Sequence, residues 1–420
     1  RDNTNDGGGW DVRFHHLTGL ADHGYPRLYK NFADECITPL ADYGGGSGCG
    51  AVYIDEPGFG EWNNAPFTAD WGTGALWHHE VKAKGATFEE IRKPEPFIRM
   101  TRPTDADVDA MSRVYCSSWK GATFKWDGPD VGYIVCVKPR GFEPEPLPDF
   151  AKASIPDLVT MVQIAKNPSH RRRLEAQREL LRRGETEWAK VYFRQFEEMR
   201  SRERNQLDRF YTLADEAAIE ESLEATASED GVTRHTAIRA LGMRGASAAV
   251  FEKLDNEPAK APGLLRALAM MHTPEVVAGL IERLKKADHS PYRRGILTAL
   301  CRLHFHEGAW RGDSWGTRPD TRGPYYQPEP WSETPRIAAA LKEILADSSS
   351  DEASFLVKEM GRNRIQSNEA LRRMLALAIE DPNVIPEAVA QLAAAETIPA
   401  DAIEVLTKVL RRNSDMGVVS

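Results

Sequence analysis

Oxygen-rich side chains crowd the first eleven residues of the chain. Asn5, Asp6 and Asp11 lie in the polar, glycine-rich stretch DNTNDGGGWD (2–11). Carboxylate and amide oxygens beside flexible backbone carbonyls are the ligands that Ca²⁺ prefers in proteins. The spacing differs from that of an EF-hand loop, and a solvated turn explains the same residues. Asn5, Asp6 and Asp11 are therefore candidate calcium ligands, with the solvated turn as the alternative.

A second acidic group follows the period of a β-strand. Asp105, Asp107 and Asp109 alternate with apolar residues in the stretch PTDADVD (103–109). Side chains two residues apart on a strand share a face. Three like charges on one face are unfavourable unless they are hydrated, paired with basic groups or bound to a cation. This strand is a second candidate cation site, and hydration or pairing is the alternative.

The adjacent histidine pairs at 15–16 and 78–79 are a weaker signal for chemistry. Neighbours on a strand point to opposite faces, so at most one histidine of each pair reaches a common site. We expect these histidines to be satisfied by their own surroundings rather than to bind a metal ion. His304 and His306 also lack a metal-binding partner at the usual spacing.

Length, charge and cysteine spacing exclude several classes of protein. A chain of 420 residues forms two or more domains, and a net charge of −9 argues against nucleic acid as a partner. The mean hydropathy of −0.49 and the lack of a long apolar run predict no membrane span. The five cysteines include no CxxC, so we predict neither a zinc finger nor a covalent haem. A Cys36–Cys49 disulfide and unpaired thiols are both compatible with the spacing.

Strand and turn signals dominate the first third of the chain. Residues 1–140 carry short runs of β-branched and aromatic residues, closed by Gly, Asp or Pro turns. The runs PFTADWGTGALWHHEV, PTDADVDAMSRVYCSSW and GYIVCVKP have the spacing and similarity of propeller blades. Proline-rich residues 141–154 serve neither a central strand nor a helix interior. We predict the C-terminal blades of a β-propeller over 1–140 and a linker over 141–154.

Beyond the linker, the apolar period changes from 2 to 3.6. We predict connecting helices over 155–228, including one with Ser169 as its N-cap and Gly184 at its end. Helix pairs recur from 229 to 415 and predict an α-solenoid of the HEAT or armadillo type, with an irregular helical bundle as the alternative. The aromatic insertion at 307–335 is either a docking surface or a flap packed on its own repeats. The predicted fold class is therefore multidomain β + α.

Several stretches together resemble the closing blades of the planctomycete-type membrane-bound dehydrogenase propellers, in the glucose/sorbosone dehydrogenase superfamily. They are WDVR, GYPRLYKNF, YGGGSGCGAVYIDEPGF, DWGTGALWHHEV, PTDADVDAMSRVY and GYIVCVKPRGF. The continuation PDLVTMVQIAKNPSHRRRLEAQRELLRRG and the insertion GTRPDTRGPYY are also similar to that family. Characterised members oxidise sugars with pyrroloquinoline quinone (PQQ) and Ca²⁺. Members commonly consist of a propeller, a HEAT-like solenoid and a c-type cytochrome.

The resemblance implies a set of cofactor-binding residues. In the sugar-oxidising relatives, a loop similar to Asn5–Asp11 and a turn similar to the one containing Gly24 and Tyr25 face the quinone and its calcium. The resemblance therefore implies that Asp6, Asp11, Gly24 and Tyr25 bind the cofactor.

A further part of the implied cofactor site lies at Thr104 and Asp105. The relatives carry an Arg-Asp pair there, this chain has Thr104 in place of the arginine, and Arg102 is the candidate replacement. The family's catalytic histidine comes from an earlier blade, so we expect it upstream of Arg1 in a longer parent protein. No haem motif follows in this chain.

Two functions follow from these observations. The first is a quinoprotein-like oxidoreductase module, incomplete in this chain, that oxidises a sugar or other alcohol and passes electrons to a c-type cytochrome. Its expected location is the periplasm or another extracytoplasmic space. The second is a non-catalytic scaffold that binds protein or polysaccharide through the propeller blades and the solenoid.

Overall fold

The computed structural model describes residues 12–24, 32–120, 129–197, 207, 209–210, 216–288, 291–308, 328–380, 384–394, 402–403 and 406–407. The chain forms two compact units. The described residues of 1–18 and 38–208 belong to the first unit, and those of 19–37, 209–317 and 323–420 belong to the second. The fold class is mixed β and α, which confirms that part of the sequence prediction.

The first unit contains short strands followed by three helices. The strands are β1 (Arg13–Phe14), β2 (Ala41–Asp42), β3 (Gly48–Ile54), β4 (Ala65–Asp70), β5 (Ala75–His78), β6 (Val81–Lys84), β7 (Thr87–Glu90), β8 (Glu95–Arg99), β9 (Pro103–Val108), β10 (Val114–Ser118) and β11 (Tyr133–Val137). Antiparallel pairing gives a four-stranded sheet in the order β3-β4-β5-β8 and a three-stranded sheet in the order β11-β10-β9. No sheet in the described part of the chain closes into a barrel or a propeller. The predicted propeller blades therefore stay a proposal.

Apolar side chains of these strands form one core of the first unit, and the helices described below form a second. Ile54, Phe67, Leu76 and Val114 are fully buried in the core of the strands. The three runs singled out in the sequence correspond to β4 with β5, to β9 with β10, and to β11. The hairpin of β6 and β7 was missed, because its strands VKAK and TFEE are charged and contain no fully buried side chain.

The Asp-Trp-Gly stretch after β4 forms a hydrogen-bonded turn. The buried carboxylate of Asp70 accepts hydrogen bonds from the backbone amides of Ser47, at 3.1 Å, and Thr73, at 2.8 Å. Gly74 closes the turn with a φ of +70°, a conformation that side chains disfavour. This turn sets the antiparallel register of β4 and β5.

Three helices complete the first unit: α1 (Ile155–Met161), α2 (His170–Arg182) and α3 (Thr186–Glu197). Ser169 caps α2, because its hydroxyl accepts a hydrogen bond from the Arg172 amide at 3.1 Å. Gly184 follows the end of α2 with a φ of +80°. Both predicted boundaries of this helix are confirmed. These helices pack within the same unit as the strands.

The second unit consists mainly of helices. They are α4 (Glu216–Ala225), α5 (Gly231–Arg244), α6 (Ser247–Asn256), α7 (Ala261–Leu268), α8 (Pro274–Lys286), α9 (Pro291–Leu303), α10 (Thr334–Asp347), α11 (Ser350–Arg362), α12 (Asn368–Glu380) and α13 (Ile385–Ala394). Helices α5, α7, α9 and α11 contact one another in succession, and each also packs against a neighbour of the second layer. Leucine, isoleucine and valine side chains from all these helices form one continuous core. The two-residue strand β12 (His306–Glu307) lies at the start of the predicted insertion at 307–335, and β13 (Pro328–Glu329) lies within it. Most of the insertion lies outside the described residues.

Candidate functional site

Four arginines lie on helices that contact one another in succession. Arg239 is on α5, Arg266 on α7, Arg302 on α9 and Arg362 at the end of α11. The helices also carry the core residues of the second unit, so their packing fixes the positions of the arginines. We call these four residues the arginine row.

The described residues of 19–37, here called the acidic segment, supply carboxylates to this row. Arg239 Nη1 lies 3.0 Å from Asp22 Oδ2. Arg302 donates two hydrogen bonds to Glu35, from Nε at 2.8 Å and from Nη2 at 3.3 Å. A third ion pair joins Arg362 to Asp34. Three of the four arginines thus bind carboxylates of the acidic segment.

An aromatic ring adds to these ion pairs. Phe32 is 1% exposed, and its ring centre lies 4.5 Å from the Arg302 guanidinium carbon and 4.8 Å from that of Arg362. Cation–π attraction is strengthened where both groups are shielded from water. The acidic segment is therefore held by one apolar anchor and three charged pairs.

Arg266 differs from its three neighbours. Its Nη2 atom is buried and has no hydrogen-bond partner among the described residues. Loss of hydration lowers the pKa of Arg266, while the nearby acids Asp34 and Glu35 act in the opposite direction. Two cavities, each of about 240 Å³, have Arg266 in their walls. A desolvated guanidinium that faces open space is a candidate binding group.

The first of these two cavities also has His235 and His272 in its wall, and both histidines are neutral at pH 7. Burial lowers the pKa of His235 to about 3 and that of His272 to about 4. His235 Nε2 accepts a hydrogen bond from the Asp22 amide at 3.0 Å, so the proton of the ring is on Nδ1. His272 Nε2 lies 2.9 Å from the carbonyl oxygen of Phe305 and donates to it. Both rings therefore act as positioned hydrogen-bond groups without charge.

A buried polar network occupies the first unit. Thr68 Oγ1 lies 2.7 Å from His79 Nε2, and His79 Nδ1 lies 2.9 Å from Glu90 Oε1. The order hydroxyl, imidazole, carboxylate is that of a hydrolase triad. Thr68 is 1% exposed and His79 is fully buried, so a substrate cannot reach the hydroxyl. His78 lies on the opposite strand face beside Trp62. The network satisfies the ring of His79 as expected, whereas Nε2 of buried His78 has no hydrogen-bond partner among the described residues.

The predicted calcium ligands Asn5, Asp6 and Asp11 lie outside the described residues, as does Tyr25. Gly24 is described: its φ is +79°, and its amide donates to Asp22 Oδ1 at 2.8 Å. Gly24 therefore belongs to a tight turn of the acidic segment.

The structure places the other predicted cofactor residues in local contacts. Arg102 lies over the ring of Trp71 at 4.7 Å. Thr104 Oγ1 lies 2.7 Å from Ser117 Oγ, and Asp105 Oδ1 accepts from the amide of residue 106 at 2.9 Å. No group of three or more His, Cys, Asp or Glu residues in the described part of the chain could hold a metal ion. The PQQ and Ca²⁺ site stays a prediction, because its calcium ligands lie outside the described residues.

The remaining aspartates of the PTDADVD strand are paired or hydrogen-bonded. Asp107 forms an ion pair with Arg171. Asp109 accepts from the backbone amides of Met111, at 2.9 Å, and Arg113, at 3.0 Å, and it also pairs with the Arg113 side chain. The alternative of basic partners therefore holds for Asp107 and Asp109. All five cysteines lie in the described part of the chain, and no disulfide joins them there.

Sequence reasoning missed the arginine row. A signal was present, because Arg239 and Arg266 each begin the tripeptide Arg-Ala-Leu in the first helix of a pair. Arg302 and Arg362 fall in later first helices without that tripeptide. Charged residues on helices are usually solvated, so only the folded stack reveals that three of these arginines bind one segment.

Comparisons with protein-family models and with curated proteins find no match for this chain. Among the described helices, none combines the length and the apolar character needed to cross a membrane.

Proposed function

We propose that this chain is a non-catalytic binding scaffold whose helical repeats hold acidic protein segments through the arginine row. One observation carries the proposal. Three arginines from successive helices bind three carboxylates of one segment, and two of them enclose its phenylalanine. The acidic segment is then the occupant that the chain itself supplies.

The proposal includes a HEAT-like solenoid for the second unit. Helices α5, α7, α9 and α11 stack in succession, and a second layer of helices packs against them. A helix pair of this size cannot bury its apolar face alone, so stacking on neighbours is required for stability. Repetition of one helix position along such a stack is what aligns the arginines.

The chemistry of the row favours an acidic partner that carries an aromatic residue. Arginine binds carboxylates through a planar fork and also stacks on aromatic rings, whereas lysine provides only a point charge. The chain as a whole is acidic, with a net charge of −9. Attraction of an acidic segment must therefore come from this local row rather than from the overall charge.

A peptide-competition experiment tests the proposal. We expect the triple variant Asp22→Asn, Asp34→Asn, Glu35→Gln to bind a fluorescent peptide of residues 19–37 more tightly than the wild type does. The reason is that its own segment has lost its three ion pairs and no longer competes. Adding Arg302→Gln and Arg362→Gln should abolish binding, measured by fluorescence anisotropy.

The matched control is the same peptide with its three acids replaced by amides. This amidated peptide should bind neither the wild type nor the triple variant. Equal binding of the acidic and amidated peptides, or no binding of the acidic peptide to the triple variant, contradicts the proposed function.

The family resemblance supports a second candidate, an extracytoplasmic oxidoreductase module of the PQQ-dependent type with a c-type cytochrome as electron acceptor. Two successive antiparallel sheets, β3-β4-β5-β8 and β9-β10-β11, favour this candidate because consecutive meanders are typical of propeller blades. Its substrate would be a sugar or another alcohol. Dye reduction by the longer parent protein with PQQ, Ca²⁺ and aldoses tests it. No reduction and no quinone absorbance would rule it out.

A further inference from the structure

We propose that the second cavity beside Arg266 binds a small zwitterion, namely a free α-amino acid with an apolar side chain. The cavity measures about 240 Å³ and lies among α7, α9, α11 and the acidic segment. This inference goes beyond the proposed binding of protein segments, since it concerns a small molecule.

Three polar side chains in the wall of this cavity each have one atom without a hydrogen-bond partner among the described residues. Arg266 Nη2, Glu359 Oε2 and Asn363 Oδ1 are all buried, and none of the three atoms has a hydrogen-bond partner in the described structure. The other oxygen of Glu359 lies 3.8 Å from Arg362 Nη1, and Asn363 Nδ2 donates to the Glu359 carbonyl at 2.9 Å. Buried polar atoms without partners are rare in proteins and call for a ligand or water.

The three groups differ in what they can bind. Arg266 supplies a cationic donor, whereas Glu359 and Asn363 supply acceptors, and Asn363 is only 1% exposed. A carboxylate satisfies Arg266, and an ammonium group satisfies the two oxygens. A simple anion such as phosphate would satisfy the first and be repelled by Glu359. A molecule that carries both charges matches the whole set.

The protonation behaviour of the two ionisable groups agrees with this reading. Loss of hydration lowers the pKa of Arg266 and raises the pKa of Glu359, so each group is shifted toward its neutral form. Charges that are fully paired with each other would shift in the opposite directions. A ligand with opposite charges in the right places would remove both penalties.

Asp34, Glu35, Arg302 and Arg362 also border this cavity, but they form ion pairs with one another. The apolar part of the wall sets the side chain of the ligand. Pro262, Leu265, Ala269 and Ala299 line the cavity. A polar or charged side chain would lose its hydration against this surface without compensation. An aliphatic amino acid such as leucine therefore fits the cavity better than aspartate or lysine does.

Isothermal titration of the full chain with L-leucine tests the proposal. Two analogues are the matched ligands: N-acetyl-L-leucine lacks the ammonium group, and L-leucinamide lacks the carboxylate. We expect leucine to bind and each analogue to bind about 10- to 100-fold more weakly, because each leaves one buried group unpaired. Glycine should also bind more weakly than leucine, since it does not contact the apolar wall.

Variants of the cavity provide the second measurement. Arg266→Gln and Glu359→Gln should each lower leucine affinity by about 10- to 100-fold. Arg294→Gln is the control, because Arg294 is on α9 but pairs with exposed Asp351 outside this cavity. Circular dichroism verifies that each variant is folded. If Arg266→Gln does not fold, Arg266→Lys takes its place as a milder substitution.

Three results would overturn the inference: no leucine binding at millimolar concentration, equal binding of leucine and both analogues, or unchanged affinity in Arg266→Gln and Glu359→Gln. Peptide binding by the arginine row is read by a different assay and with different variants. The failure of one proposal is therefore distinguishable from the failure of the other.

Discussion

Arg302 binds Glu35 through two parallel hydrogen bonds, although the two residues are 267 positions apart in sequence. The pair is largely shielded, with side-chain exposures of 11% for Arg302 and 24% for Glu35. A two-bond contact between guanidinium and carboxylate fixes direction as well as distance. This contact therefore holds the acidic segment in one register on the arginine row.

Removal of the Arg302 side chain should destabilise the second unit. We expect Arg302→Ala to lower the free energy of unfolding by about 2–4 kcal/mol, since Glu35 loses its partner and Phe32 loses a cation above its ring. Urea denaturation measures the change. The control Arg336→Ala removes an exposed pair with Glu333 and should cost less than about 1 kcal/mol. Equal effects of the two variants would contradict the role assigned to Arg302.

The buried carboxylate of Glu56 holds the start of α2. It accepts hydrogen bonds from the Ser169 hydroxyl and, at 2.7 Å, from the Arg171 amide. We expect Glu56→Leu to cost about 2–3 kcal/mol, because two donors at a helix N-terminus are left without an acceptor. Glu56→Gln keeps one acceptor and should cost less. Thermal unfolding measures both, and a smaller effect of leucine than of glutamine would contradict this assignment.

Ionisation of Glu56 also predicts a pH dependence. Loss of hydration raises the pKa of Glu56, and the hydrogen bonds from Ser169 and Arg171 only partly oppose that shift. A carboxyl group with a raised pKa in the folded state contributes most stability below its unfolded pKa and loses that contribution as the pH rises. We therefore expect the change in unfolding free energy caused by Glu56→Gln to be more favourable to the folded state at pH 7 than at pH 4. Identical differences at the two pH values would contradict the expectation.

Acid should destabilise the second unit through His235. Burial first, and then the charges of Arg239 and Arg266, lower the pKa of His235 to about 3, while Asp22 acts in the opposite direction. The neutral imidazole contributes full stability above the unfolded pKa of about 6.5, and this contribution is lost as the pH falls toward the folded value. For this residue alone we expect a loss of about 2 kcal/mol at pH 5.

The variant His235→Gln isolates this contribution. It removes the titrating group and should flatten the change of unfolding free energy between pH 7 and pH 5 by about the same amount. Urea denaturation at the two pH values measures the difference. His16→Gln is the control, since His16 is only partly buried, in the first unit. A wild-type slope in His235→Gln would contradict the prediction.

The Thr68–His79–Glu90 network should be structural. A fluorophosphonate probe that labels active hydrolase hydroxyls should not label Thr68, because only 1% of this residue is exposed. His79→Phe should instead lower the free energy of unfolding by about 2–4 kcal/mol, since Thr68 and Glu90 lose a buried partner. Mass spectrometry after probe treatment and thermal unfolding check the two parts. Labelling at Thr68 would indicate an opening that exposes the hydroxyl.

Local sequence signals gave much of the secondary structure. Ser169 and Gly184 marked both ends of α2, and the period-2 pattern of PTDADVD located β9 closely. Local signals succeed here because a cap or a strand period depends on neighbouring residues alone. The charged hairpin of β6 and β7 was missed for the same reason, since its stability comes from pairing between strands rather than from an apolar pattern.

The candidate site could not be predicted in this way. Asp22 and Arg239 are more than 200 positions apart, and no sequence pattern around either residue indicates that their side chains pair. The strand period identified Asp105 and Asp107 as candidate site residues. In the structure, Asp107 instead forms an ion pair with Arg171 of α2. Long-range pairing of charges depends on where the elements pack, and packing is set by the apolar core.

The sequence alone determined the class of the elements: short strands first and helices afterwards, with both ends of α2. Only the tertiary structure decided which charges meet. It aligned Arg239, Arg302 and Arg362 with one acidic segment and left Arg266 facing a cavity with Glu359. The physical reason is that secondary structure follows local periodicity, whereas burial and loss of hydration at a charged group exist only after distant elements have packed together.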